Sequence, residues 1–150
     1  MHLRLLLVIT ALSMCALLGL SAYSSPVQLD LATPTDALKT QLVAMHARDV
    51  AAYEQTLTRQ TVQWLEAIAK DKHESVDEAI KSYLVHGGTE GSDWPSQTRE
   101  EKLADGRVDV WMQINGQWSF VRFANEDGAW KMDGFGWPYR QPPQWVKQSG

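Results

Sequence analysis

The sequence predicts an α+β domain in which N-terminal helices pack on a curved antiparallel β-meander, and three observations predict it. Between Thr33 and Leu84 apolar residues recur at spacings of three and four, the repeat of a helix with one face on a core. From Thr98 the period changes, and in Arg107 to Ile114 the even positions Val108, Val110, Met112 and Ile114 are apolar, as in a strand with one buried face. Asn115-Gly116 and Asp127-Gly128 interrupt the alternating runs, and both dipeptides favour the two-residue turns that join antiparallel strands.

At the N-terminus, residues 5–22 carry no charge and follow His2 and Arg4, the pattern of a secretory signal with a short basic lead. A signal peptide is therefore expected over residues 1–24 as a signal helix, cut after Ser24, or after Ala22, where small residues meet the cleavage requirement. The charge-free stretch is 18 residues long, the lower end of what spans a bilayer, so an uncleaved anchor is the alternative. Leu12-Ser13-Met14-Cys15 resembles a lipobox, but Met14 breaks the pattern and an apolar run follows Cys15 where a polar tether belongs. Cys15 is read as a small apolar residue of the signal core. The expected location is the periplasm or the exterior, or a membrane held through residues 5–22.

Residues 25–32 read as a linker. Thr33-Pro34-Thr35-Asp36 then supplies a cap hydroxyl, a proline suited to the first turn and an early acid, so a helix starts there with Leu38, Leu42 and Met45 on one face. Asp49 caps a second helix with Val50, Tyr53 and Leu57, and Thr61 to Lys72 carries Trp64, Leu65 and Ile68. Ser75-Val76-Asp77-Glu78 is a capping box before Ala79, Ile80, Tyr83 and Leu84, and the glycines after His86 end that helix.

The two turns set a register. Val110 falls opposite Val121, Val108 opposite Phe123, and Phe123 opposite Met132, all on one face. The other face then carries Asp109, Arg122 and Asp133 in one row and Trp111, Phe120 and Phe135 in the next.

Composition narrows the function. The formal charge is −4 with no basic run, so the attraction that dominates nucleic-acid binding is missing. One cysteine and four scattered histidines give no metal-ligand spacing, so neither metal nor cofactor is expected. Nucleophile-triad signatures and HExxH are absent, and Gly87-Gly88-Thr89-Glu90-Gly91 lacks the lysine of a phosphate loop.

The order of helices followed by a meander carries a family resemblance. The segment TPTDALKTQLVAMHARDVAAYEQTL resembles the opening helices of NTF2-like domains of the cystatin-like superfamily, with Ala47-Arg48-Asp49 at the break between helices. GRVDVWMQINGQWSFVRFANEDGAWKMDGF resembles their closing strands, and GAWKMDG their common ending in bacterial envelope members. The resemblance spans residues 33–136 and implies a cone between helices and sheet able to hold an apolar ligand. Tyr53, Trp64, Tyr83, Val110, Met112, Val121, Phe123, Trp130 and Met132 would line it, or would fill it as solid core. Enzymatic relatives place an acid or base there. The apolar sheet face has none, so no catalytic residue is assigned, and an isomerase or dehydratase would have to use Tyr53 or His46.

An arginine between Asp109 and Asp133 is expected to hold both ionised, as a partly solvated structural row without a proton-transfer role. His46 and His86 near helix ends suit capping or exposed roles. Trp111, Trp118, Phe120 and Phe135 form an aromatic patch larger than a solvated face needs. Residues 137–150 are rich in proline and tryptophan, and they either fold back over that patch or recruit an envelope protein. A small apolar ligand, a second copy of the chain and an envelope protein are the partners this reading allows.

Overall fold

A computed structural model describes residues 26–87, 94–134 and 140–148. The expected signal or anchor over residues 1–24, Cys15, Gly88 to Gly91, Phe135 and Trp137 lie outside the described residues. The chain is α+β: among the described residues four helices precede a four-stranded antiparallel sheet and a short helix follows it.

Each of the four helices before the sheet begins where a side chain satisfies an orphan amide. Helix α1, Pro34–Ala47, has Thr33 as its cap, whose hydroxyl accepts from the Asp36 amide at 3.1 Å. It ends at Arg48 in the left-handed conformation, φ 53°, with the Arg48 amide bonding back to Ala44 and Met45. Asp49 accepts from the Ala52 amide and opens α2, Val50–Gln55. Thr58 opens α3, Arg59–Asp71, two residues earlier than the apolar pattern indicates. Ser75 and Glu78 make the reciprocal capping box of α4, Val76–Ser82, which continues as a π-helical turn over Tyr83–Gly87.

The strands are β1 (Gln97–Lys102), β2 (Val108–Ile114), β3 (Gln117–Glu126) and β4 (Ala129–Met132), in spatial order β1-β2-β3-β4. Val110 pairs with Val121, Val108 with Phe123, Trp111 with Phe120 and Phe123 with Met132, the register the turns dictate. Both central residues of each turn take positive φ, Asn115 and Gly116 at 51° and 77°, Asp127 and Gly128 at 56° and 85°, which matches the right-handed twist of the strands. Strand β1 has no counterpart in the apolar alternation. Its sequence QTREEK is polar throughout, as suits an edge strand that must not template further pairing.

The opposite edge is covered by the chain itself. Leu57 bridges to Met132; the Met132 amide donates to the Thr56 carbonyl at 2.7 Å and the Thr58 amide to the Met132 carbonyl at 3.0 Å. Residues before α1 extend that cover, since Trp130 donates its amide to the Leu31 carbonyl and the Asp30 backbone exchanges two hydrogen bonds with the Thr40 hydroxyl. The segment expected as a linker is thus docked, with Val27 and Leu31 packed on the core. That core lies between helices and sheet, built on Leu38, Leu42, Tyr53, Leu57, Ile80, Val108, Val110, Phe123 and Met132.

Candidate functional site

Among the described residues an apolar concave surface lies between the helices. Tyr53 from α2, Trp64, Leu65 and Ile68 from α3, and Ala79, Ile80 and Tyr83 from the α4 segment line an open cavity of about 530 Å³, with Lys72, Glu74 and Ser82 at its margin. Its size falls within the range of small-molecule sites. Helical spacing explains the lining: Trp64, Leu65 and Ile68 are one and four residues apart on α3, and Ile80 and Tyr83 are three apart.

The floor is aromatic. Tyr53 is 1% exposed and its ring centre lies 6.0 Å from that of Tyr83, tilted by 37°. Burial pushes the Tyr53 phenol above its ordinary ionisation range; the adjacent Tyr83 raises it further, and a hydrogen bond from Gln41 opposes this weakly. Tyr53 is therefore a protonated hydroxyl at neutral pH, suited to orienting a ligand rather than removing its proton. The Gln41 amide, itself buried, also donates to the Met132 sulfur at 2.8 Å and so ties the cavity floor to β4.

Of the nine residues expected to line a cone, Tyr53, Trp64 and Tyr83 meet at this cavity, while the six from the sheet do not. Val110, Phe123 and Met132 are buried in the packed core, and Met112, Val121 and Trp130 pack partly buried against it. Helix α1 is the reason: Leu38 and Leu42 lie against the sheet and occupy the space between the layers. Lys72, Glu74 and Gln41 escaped sequence reasoning. Lys72 and Glu74 flank a turn and Gln41 is an isolated polar residue on an apolar helix face, which a pattern of apolar spacings does not report. His46 is exposed in the last turn of α1 with its ring 5.5 Å from Trp94, away from the cavity lining.

The reverse face of the sheet carries the aromatic patch under the tail, one of the two alternatives the sequence allows, and corrects its place at the surface. Trp111 is fully buried, 4.9 Å from the Phe120 ring, and its indole N–H donates to Glu101 at 2.8 Å. Trp118 and Phe120 are half-buried. The cover is the C-terminal segment, where Arg140 lies over the Trp111 and Phe120 rings and helix α5, Gln144–Lys147, buries Val146 completely.

The ionic row also differs. Asp109 is fully buried and takes both Nε and Nη2 of Arg122, at 2.6 and 3.0 Å, and the guanidinium in turn is held charged by that carboxylate. Asp133 sits next to Arg122 in register, since its amide donates to the Arg122 carbonyl, but its carboxylate pairs with Arg107 at 3.0 Å. Two further cations, Arg107 and Arg140, thus complete the row, and each lies just outside a strand or in the tail, where alternation assigns no face. Arg107, Asp133, Gln60 and Trp64 border a smaller, polar hollow of about 300 Å³.

Among the described residues no group of three or more His, Cys, Asp or Glu side chains is placed to hold a metal ion, and no helix is long and apolar enough to cross a membrane. No protein-family model matches this chain, and no curated protein or solved structure shows significant similarity to it.

Proposed function

We propose that this chain is an exported, non-catalytic binding module of the NTF2-like kind, which holds a small apolar molecule in the cavity between α2, α3 and α4. The carrying observation is the lining: aromatic and aliphatic side chains around about 530 Å³, with a protonated Tyr53 hydroxyl as the polar group at the floor. Among the described lining residues the one carboxylate is Glu74, exposed at the margin, which supports a binding role over proton abstraction. The charge-free residues 5–22 behind Arg4 support export, and the helices-then-meander order supports the family reading.

The test is uptake of the apolar fluorophore N-phenyl-1-naphthylamine by the wild-type chain and by Ala79→Trp, which places an indole inside the lining. Uptake by the wild type that falls at least about tenfold in affinity in Ala79→Trp supports the reading. Equal uptake by both, or none by a folded wild type, overturns it. Native mass spectrometry of protein taken from the envelope would show a retained ligand and the number of copies in the particle together.

A further inference from the structure

The sheet face turned away from the helices carries a second built site, independent of the cavity. Register places Glu101 opposite Asp109 on β1 and β2, and Trp111 opposite Phe120 on β2 and β3, so two carboxylates and two rings converge on one spot. The guanidinium carbon of Arg140 lies there, 5.1 Å from the Trp111 ring centre and 5.2 Å from that of Phe120. Its Nη2 donates to Glu101 Oε2 at 2.6 Å and to Asp109 Oδ2 at 2.5 Å, and its Nη1 to Glu101 Oε1 at 3.2 Å.

A planar fork held edge-on by carboxylates and face-on by aromatic rings is recognition fitted to a guanidinium and poorly fitted to an ammonium, which has neither the plane nor the paired donors. Every cage residue belongs to a hydrogen-bonded strand and is positioned by the sheet, whereas the occupant comes from the C-terminal segment. The seat is snug but not saturated, because Arg140 Nε is buried without a hydrogen-bond partner. Asp109 meanwhile has Arg122 on its other side, so the cage keeps one cation when Arg140 leaves.

We propose that Glu101, Asp109, Trp111 and Phe120 form a guanidinium-binding site, filled in cis by Arg140, whose ligand class is an arginine side chain or another monosubstituted guanidinium. The tail is the resident ligand, and a guanidinium supplied from outside takes its place when Arg140 is absent. The full-length Arg140→Ala chain, titrated with N-ethylguanidinium or ethylammonium at constant ionic strength, tests this. The readout is the indole N–H resonance of Trp111, which the Glu101 hydrogen bond makes a local reporter. Ethylguanidinium should shift it saturably, with a half-saturation at least about fivefold lower than ethylammonium, and the shift should vanish when Glu101→Gln is added. The wild-type chain, its cage occupied, should not respond at those concentrations. Equal responses to the two cations, or a wild type that responds like the variant, overturn the proposal. Should Arg140→Ala not fold, Arg140→Lys retains a cation beside the carboxylates and must show the same preference when titrated.

Discussion

Replacing Arg122 with alanine isolates the cost of the buried ion pair. Asp109 is 0% exposed and receives two hydrogen bonds from Arg122, one from Nε at 2.6 Å and one from Nη2 at 3.0 Å. Removing one partner of a fully buried pair typically costs about 3–5 kcal/mol, because the remaining charge cannot rehydrate. Two features reduce the figure here: the Arg122 side chain is 19% exposed, and Arg140 still reaches Asp109. A loss of about 2–3 kcal/mol results, which for a domain of this size is a fall of roughly 8–12 °C in the thermal midpoint. Arg107→Ala is the internal control, since Arg107 is 38% exposed and one of its partners, Asp105, is 50% exposed; about 0–1 kcal/mol is expected. Urea unfolding followed by tryptophan fluorescence compares the two variants directly. Should both lose less than about 1 kcal/mol with unchanged m-values, the claim that Asp109 depends on its ion pairs in a dry site fails.

Trp111→Ala should cost about 3–5 kcal/mol by equilibrium denaturation, because the ring is fully buried beneath Arg140; a loss under about 1 kcal/mol would restore the reading of an exposed aromatic patch. Gly116→Val should cost about 1–2 kcal/mol from backbone strain alone, since φ is 77° and a Cβ there meets nothing within 4 Å; Gly116→Asn should be tolerated much better in the same thermal scan. Tyr53 ionises more readily unfolded than folded, so its contribution is complete below about pH 10 and stability falls above it by up to about 1.4 kcal/mol per pH unit; the slope should be measurably shallower in Tyr53→Phe.

Much of the architecture was legible in the residues because it depends on local chemistry. A hydroxyl or carboxylate three residues ahead of an orphan amide caps a helix wherever it occurs, which is why Thr33, Asp49 and Ser75 marked true starts. Asn-Gly and Asp-Gly supply positive φ cheaply, and once the turns are set the pleat assigns every strand residue to a face, so the pairings of Val110, Phe123 and Trp111 came with them. Strand β1 escaped because its polar residues carry no periodic burial for alternation to reveal, even though it pairs with β2 as a local hairpin.

What a residue meets across the fold was decided only in three dimensions. Alternation placed Asp109, Arg122 and Asp133 in one row but could not say that Asp133 would turn to Arg107, or that Arg140, more than thirty residues from Asp109 along the chain, would take the remaining oxygen. It marked Val110 and Phe123 as inward-facing, yet whether inward meant a ligand cavity or a filled core depended on how closely Leu38 and Leu42 of α1 approach the sheet. The sequence by itself therefore determined the α+β order, the starts of α1, α2 and α4 and the register of β2 to β4, since each follows from dihedral preference and spacing over a few residues. The tertiary structure alone decided that an apolar hollow lies among α2, α3 and α4, and that a tail arginine closes the far face of the sheet, because cavities and buried ion pairs are set by the packing of segments that share no local signal.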